Sequence, residues 1–308
     1  MTIARVVSNG FERFSDFGRT PLMQAGRSWT RWAGLLVPAL ILVCSAYRLR
    51  DMDYRALIAL VPTGIAFWLA FAGYYLAAPL SEWIIFRRLW RLPPRGLAAL
   101  LRKLVSNEIL LGYLGEVYFY AWARRNADTA TAPFGAIKDV AILSALAGNA
   151  FTLLLLLLSL PVFGSLHLGL GGGTLLASAA VVLVSSITAL TLRRQMFSLS
   201  RRALWFVTAM HAVRIVTMMS LAAVMWHLLL PGVPAGWLLL LATLRQLLSR
   251  LPLIPNKDVV FAGLAASLVG TTLPIVAAVT LVASLILAAH LVVGACLGAA
   301  ELAGAERS

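Results

Sequence analysis

Charged side chains interrupt long apolar stretches of this sequence, and their spacing suits the binding of a charged ligand. His211, Arg214 and Thr217 follow each other at intervals of three residues, so their side chains share one broad face of a helix. A charged group within an apolar helix is costly and is a functional candidate by default. Arg214 should therefore face the protein interior and pair with a carboxylate, either Glu116 or Asp258. A packed, hydrogen-bonded role is the alternative for His211.

Two broken apolar stretches, residues 96–125 and 236–270, carry the other candidates around a Gly- or Pro-containing centre. These candidates are Arg102, Asn107, Glu108 and Glu116 in the first stretch, and Arg245, Arg250, Lys257 and Asp258 in the second. Pro252 and Pro255 force non-helical backbone. Freed backbone N–H groups at the start of the next helix, together with Lys257, suit an anionic group such as a lipid phosphate. Pairing of Lys257 with Asp258, and capping of a helix by Glu116, are the structural alternatives.

The composition explains why these charges stand out. Of the 308 residues, 61% are hydrophobic and only 12% are charged, whereas a soluble domain carries about 25% charged residues. The chain must therefore use lipid as its solvent. Its net charge of +14 then indicates membrane orientation and predicts no nucleic-acid partner.

The elements that position the candidates are predicted to be membrane helices. Apolar runs long enough to span a membrane occupy residues 32–48, 56–80, 139–160, 174–192, 203–230 and 272–297. The arms of the two broken stretches are too short to cross alone and fit re-entrant hairpins. The predicted fold class is an all-α polytopic membrane protein with about six spanning helices and two re-entrant helical hairpins.

The basic residues predict the orientation. They cluster at residues 5–31, 87–103, 124–138 and 193–202, whereas loops 161–173 and 231–235 carry no charged residue. If 96–125 is re-entrant, all four clusters lie on one face, which is then the cytoplasmic face. The sequence therefore predicts a multi-pass protein of the bacterial cytoplasmic (inner) membrane, with a cytoplasmic N-terminus.

The two broken stretches resemble each other. Leu101–Ser106 matches Leu244–Ser249 at an offset of 143, and Glu116-Val117 aligns with Asp258-Val259 after a shift by one residue. Three full crossings in each half would invert the second half, which predicts an inverted-topology repeat of the kind that transporters use. The predicted organisation is a basic arm at 1–31, one transmembrane domain at 32–298 with halves 32–160 and 174–298, and a tail at 299–308.

The sequence gives no positive indication of a catalytic centre. No nucleotide-binding, zinc-protease or serine-hydrolase motif occurs. The two cysteines, Cys44 and Cys296, both lie in apolar runs and form no metal-binding spacing. We therefore predict no metal site, cofactor or catalytic residue, although a membrane enzyme can assemble a site from distant helices.

Two motifs resemble a known family. Gly115-Glu116, the aromatic-rich arm that leads to Arg124-Arg125, and Lys138-Asp139 look like the first motif of the lysylphosphatidylglycerol synthetase transmembrane-region family, also called flippase-like. The Pro-containing turn 251–258 is similar to its second motif, but Asn256-Lys257 stand where glycines are expected. The resemblance implies an inner-membrane protein that binds or flips lipids, without the soluble aminoacyl-transfer domain of some relatives.

The leading hypothesis is a lipid translocase, or a lipid-binding transporter, that holds the head group in a polar cavity between the two hairpins. Its predicted substrate-binding residues are Glu116, Arg214, Arg245, Arg250, Lys257, Asp258, Asn107, Glu108 and His211, and its ligand is a membrane lipid with a phosphate-bearing head group. An integral-membrane enzyme of lipid or polyisoprenoid-glycan assembly, and a non-catalytic membrane partner of a soluble enzyme, remain alternatives. A homo-oligomer is also left open.

Overall fold

The described part of the chain is all-helical, which is consistent with an α-helical membrane protein. The computed structural model describes residues 61–109, 114–126, 133–165, 197–249 and 274–305, with isolated residues at 180, 183–184, 257–258, 260–262 and 265. No β-strand occurs among these residues. Four helical segments are long and apolar enough to cross a membrane: Ile65–Trp90, Phe134–Ser159, Arg201–Leu229 and Ala277–Ala300. The predicted arm 1–31 and span 32–48 lie outside the described residues, as does most of the predicted span 174–192.

Helix α1, Ile65–Trp90, is the first described span. It ends at Arg91, whose φ of 52° and ψ of 38° are left-handed, and Pro93-Pro94 then prevent the helix from continuing. The predicted span 56–80 is therefore wrong at its end, because the helix continues to Trp90. Arg87 and Arg88 lie in its last turn and not in a loop.

The first broken stretch forms two short helices, as predicted. Helix α2 is Arg95–Ile109 and helix α3 is Leu114–Asn126. With 15 and 13 residues, they are about 22 Å and about 20 Å long at the rise of an α-helix. Each is shorter than the hydrocarbon core of a bilayer, about 30 Å thick.

Four further helices follow along the described part of the chain. Helix α4 is Pro133–Ser165, α5 is Arg201–Leu229, α6 is Ala235–Leu248 and α7 is Pro274–Ala305. Helix α6 has only 14 residues, and helical backbone resumes among residues 257–265. Helix α7 continues beyond residue 298, where the predicted transmembrane domain ends.

Two apolar cores occupy different parts of the bundle, and each encloses one broken stretch. The first core packs α2 and α3 against the end of α1 and the starts of α4 and α5, around Phe86, Phe119 and Val207. The second core packs α6, Phe261, Ala262 and Ala265 against the start of α1, the end of α5 and α7, around Trp226 and Phe261. Glu82 on α1 and Arg214 on α5 lie on helix segments between these two cores.

The contacts place the two broken stretches at opposite ends of the bundle. Helix α2 packs against the end of α7, where Arg102 Nη2 donates to the backbone oxygen of Leu297 at 2.7 Å. Helix α6 packs against the later part of α4, where the hydroxyls of Ser159 and Thr243 lie 2.7 Å apart. Helix α2 follows directly on the end of α1, and α6 follows directly on the end of α5. The end of α1 lies beside the start of α5, and the start of α1 lies beside the end of α5, so these two helices run in opposite directions. Helices α2 and α6 therefore enter the bundle from opposite ends.

Asp139 holds the starts of α4 and α5 together. Its side chain is fully buried, and Oδ2 accepts hydrogen bonds from the backbone N–H and the hydroxyl of Ser198 and from the backbone N–H of Leu199, at 2.7–2.9 Å. Ser200 then caps α5 by accepting from the N–H of Ala203. The end of the bundle at which α4 and α5 begin is therefore fixed by one carboxylate.

This same end carries the exposed basic residues of the described chain. They lie at the end of α1, at the start of α2, at the end of α3 and at the start of α5: Arg87, Arg88, Arg91, Arg95, Arg124, Arg125, Arg201 and Arg202. Arg88 lies over the ring of Phe206, 4.2 Å from its centroid, as an amphipathic cation at a membrane interface would. No described residue of the loop 229–235 is charged.

Candidate functional site

Four charged side chains from four helices form the first charge network (Glu82, Lys103, Glu116 and Arg214). The ammonium of Lys103 on α2 lies 3.0 and 2.8 Å from the two carboxylate oxygens of Glu82 on α1, and 3.3 Å from Glu116 Oε1 on α3. Arg214 Nη1 on α5 lies 3.9 Å from Glu82 Oε1. With two anions and two cations, the network has no formal net charge.

The close packing of α2 and α3 brings Glu116 to Lys103. Asn107 Oδ1 accepts a 2.7 Å hydrogen bond from the backbone N–H of Gly115, so it satisfies one of the free donors at the start of α3. A Cβ at residue 115 would lie 2.2 Å from the backbone oxygen of Lys103. Only glycine fits there, and Glu116 follows it on the first turn of α3. Asn107 therefore shapes the hairpin.

Arg214 lies well inside α5, as the sequence predicted, but its partner differs. Neither Glu116 nor Asp258 forms an ion pair with it among the described residues. Its carboxylate is Glu82, and Nη2 also donates to Ser144 Oγ at 2.9 Å. The predicted pairing is wrong because the side of α1 that carries Glu82 packs against α5, and Glu116 is bound by Lys103.

Lys103 was counted among the cytoplasmic orientation signals, and that assignment is wrong. Only 6% of the residue is exposed, and three carboxylate oxygens surround its ammonium. It lies on the face of α2 that also buries Ala99 and Leu100. Lys103 therefore belongs with the interior cations.

His211 is fully buried, and its Nε2 lies 3.1 Å from the backbone oxygen of Val140 on α4. It faces the same interior as Arg214, one turn away on α5. This contact fits the packed, hydrogen-bonded role that the sequence left as an alternative.

Arg245 and Asp258 form the central ion pair of the second broken stretch. Asp258 Oδ1 accepts from Nε and Nη2 of Arg245 at 2.9 and 2.7 Å. The same guanidinium donates to the hydroxyl of Tyr74 on α1 and lies 5.1 Å from the centroid of its ring. Arg245 thus joins α6 to α1 and to the second arm of its own stretch.

Lys257 has a different kind of partner. Its ammonium donates to the backbone oxygen of Ser249 at 3.3 Å, and no carboxylate lies in ion-pair range of it among the described residues. The predicted alternative, a Lys257–Asp258 pair, is therefore not formed, because Asp258 is taken by Arg245. Arg250 lies outside the described residues.

Glu108, at the end of α2, meets the second broken stretch. Its carboxylate lies in the electrostatic range of the Lys257 backbone N–H and of the Lys257 and Asp258 side chains. Glu108, Arg245, Lys257 and Asp258 form the second charge network, which again has two anions and two cations. Beside it, the hydroxyl of Tyr75 lies 3.1 Å from Nδ1 of His290 on α7.

The two broken stretches have internal bonds at the same residue spacings. A cation on the first arm binds an anion 13 residues later, Arg245 with Asp258 and Lys103 with Glu116. A residue at the end of the first arm accepts a hydrogen bond from the residue 8 positions later, Asn107 from Gly115 and Ser249 from Lys257. All four pairs of equivalent residues are separated by one offset of 142. Both stretches therefore have bonds at equivalent positions, although Gly115 donates its backbone N–H to a side-chain oxygen and Lys257 donates its ammonium to a backbone oxygen.

Sequence reasoning missed Glu82 and Tyr74. Glu82 lies in α1, two residues beyond the predicted end of the span 56–80, so it was not considered as an interior charge. A signal for it existed, because Glu82 is a lone carboxylate between apolar residues 76–80 and 83–86. Tyr74 gave no comparable signal, since an aromatic residue is ordinary in an apolar helix.

Comparison with known proteins identifies no relative: no protein-family model matches the chain, and neither a curated protein nor a solved structure is significantly similar to it.

Proposed function

We propose that this chain is a flippase-like lipid translocase of the bacterial inner membrane, and that lipid head groups pass where the two broken stretches meet. In this proposal the stretches are re-entrant hairpins in an inverted repeat. The repeated bonds at one offset and the opposite positions of α2 and α6 support it. The basic end of the bundle would face the cytoplasm.

The observation that carries the proposal is the contact between Glu108 and Lys257. These residues belong to broken stretches that begin at opposite ends: Glu108 lies at the end of the half-length helix α2, and Lys257 lies where helical backbone resumes in the second stretch. Transporters bind their substrates where broken helices meet near the bilayer midplane. A head group that reaches this point from either side has crossed half of the apolar barrier.

The charge networks indicate which residue would contact the head group. Lys103, Arg214 and Arg245 each have a carboxylate within 4.0 Å. The ammonium of Lys257 donates to a carbonyl oxygen, so a phosphate could bind there without breaking an ion pair. Lys257 is thus the primary phosphate contact, and Arg245, Arg214 and the carboxylates position the hairpins around it. The acyl chains would remain in lipid, and only the head group needs a polar path.

Translocation in proteoliposomes tests this function. Vesicles of phosphatidylglycerol that contain a fluorescent phosphatidylglycerol analogue should lose inner-leaflet fluorescence to an external quencher faster with protein than without. A charge-assisted hydrogen bond contributes about 1.5–3 kcal/mol, so we expect Lys257→Met to slow translocation by about 10- to 100-fold.

Lys138→Met is the matched control. It removes the same type of side chain from the start of α4, where Lys138 has only a 3.7 Å contact with Asp139, and it should keep most of the rate. Wild-type protein that translocates no faster than empty vesicles would exclude the function. Equal rates for Lys257→Met and Lys138→Met would exclude the role of Lys257.

A further inference from the structure

Glu108 differs from the other three carboxylates of the charge networks. Glu82, Glu116 and Asp258 each lie within 3.3 Å of a lysine or arginine nitrogen. Glu108 lies near the backbone N–H of Lys257, and no described cation forms an ion pair with its side chain. Among the described carboxylates of the two networks, it is therefore the one whose negative charge has the weakest compensation.

The groups that face Glu108 come from every element around it. Tyr75 on α1 and the side chains of Lys257 and Asp258 interact with it electrostatically. His290 on α7 lies behind Tyr75 and within the influence of Asp258. On α3, Glu116 is bound by Lys103, and on α6, Arg245 is bound by Asp258.

An anionic head group would disturb the balance of the second charge network. The network is neutral with Glu108 and Asp258 ionised and with Arg245 and Lys257 charged. A phosphate on Lys257 adds one negative charge beside two carboxylates, and like charges in a low-dielectric setting favour protonation of one of them. Arg245 donates to Asp258 twice, whereas no described cation forms an ion pair with Glu108. The proton should therefore bind to Glu108.

We propose that Glu108 takes up one proton from the aqueous phase when an anionic lipid head group binds at Lys257, and releases it when the head group leaves. The site is then neutral both empty and loaded. This inference rests on the proposed function, since it assumes that a head group reaches Lys257. It assigns to this chain a coupled movement of a proton and a phosphate-bearing lipid.

Carbodiimide labelling can test this role without measuring transport. Dicyclohexylcarbodiimide modifies protonated carboxyl groups in apolar surroundings, and mass spectrometry locates the modified residue. Full-length protein would be labelled from about pH 5 to about pH 9 in phosphatidylcholine vesicles and in vesicles that contain phosphatidylglycerol. Labelling of Glu108 should fall as the pH rises, and phosphatidylglycerol should increase it at least about twofold near neutral pH.

Two variants separate this effect from the lower surface pH of anionic vesicles. Lys257→Met should abolish the increase caused by phosphatidylglycerol, whereas Lys138→Met should keep it. Inorganic phosphate added to phosphatidylcholine vesicles distinguishes a free anion from a lipid head group, and we expect a smaller increase with it. Equal labelling of Glu108 in both kinds of vesicle, or an unchanged increase in Lys257→Met, would overturn the inference.

The labelling and the translocation assay can fail independently. If labelling responds to phosphatidylglycerol through Lys257 but no lipid is translocated, the head-group site and its proton stand and the proposed function falls. If lipid is translocated but labelling of Glu108 does not respond, the function stands and the proton coupling falls.

Discussion

Replacement of Lys103 by methionine is expected to lower the free energy of unfolding by about 3–5 kcal/mol, the usual cost of removing one partner from a buried ion pair. The substitution leaves Glu82 and Glu116 facing each other with only the 3.9 Å contact of Arg214 to Glu82 as compensation. Purified protein in detergent should show the loss as a lower midpoint of thermal unfolding and as a smaller folded fraction.

A second substitution separates charge from packing. In Lys103→Met with Glu116→Gln, the remaining pair of Glu82 and Arg214 is neutral, so we expect the double variant to regain much of the lost stability. Arg125→Met, at an exposed position at the end of α3, should leave the midpoint nearly unchanged. A Lys103→Met protein as stable as the wild type would show that Lys103 is not the buried centre of this network.

Replacement of Asp258 by alanine is expected to have an effect of similar size, about 3–5 kcal/mol. Arg245 would keep its contact with Tyr74 but would lose the carboxylate to which it donates twice. Tyr74→Phe removes only a neutral hydrogen-bond partner, so its cost should be nearer to about 1 kcal/mol. The midpoints of thermal unfolding of the wild type, Asp258→Ala and Tyr74→Phe, measured under identical conditions, give the order of their stabilities.

A double-mutant cycle measures the pair itself. The protein with both Arg245→Met and Asp258→Leu contains no uncompensated charge, and it should be more stable than the less stable of the two single variants. Losses that simply add would show that the two side chains do not interact, and would remove the equivalence with Lys103 and Glu116.

Much of the helical framework could be predicted from the sequence, because apolar length is a strong signal. The spans around residues 139–160, 203–230 and 272–297 overlap closely with α4, α5 and α7. The break of residues 96–125 into two short helices followed from Gly112, Gly115 and the charges near them. The end of α1 was predicted too early, because Glu82 and Arg87 lower the hydropathy while the backbone remains helical.

The partners of the interior charges could not be predicted, because they depend on how each helix is rotated. Arg214 was correctly placed in the interior, but nothing in a single sequence indicates that α1 presents Glu82 to it. Lys103 is one of many basic residues near the helix ends, and only its burial separates it from the orientation signals. In the sequence, the similarity of the two stretches was visible as two short alignments whose offsets differ by one residue. In the structure, the internal bonds relate the two stretches by a single offset of 142.

The carboxylate partners of the interior cations matter for the proposed function. A prediction that counts every interior cation as a phosphate ligand overlooks the carboxylates that neutralise Lys103, Arg214 and Arg245. Buried ion pairs of this kind are costly to open, so these residues hold the two stretches in place. Among the described residues, we therefore propose Lys257 and Glu108 as the groups that respond to a ligand.

The most direct measurement of the central claim is the side of the membrane from which each broken stretch enters. Single cysteines would replace Pro94 before α2, Asn126 at the end of α3 and Gly232 before α6, all exposed positions, after Cys44 and Cys296 are changed to serine. A membrane-impermeant maleimide applied to right-side-out and inverted vesicles reports their sides. We expect labelling at 94 and 126 from the cytoplasmic side and at 232 from the opposite side. Labelling at 94 and 126 from opposite sides, or at 94 and 232 from the same side, would contradict the account.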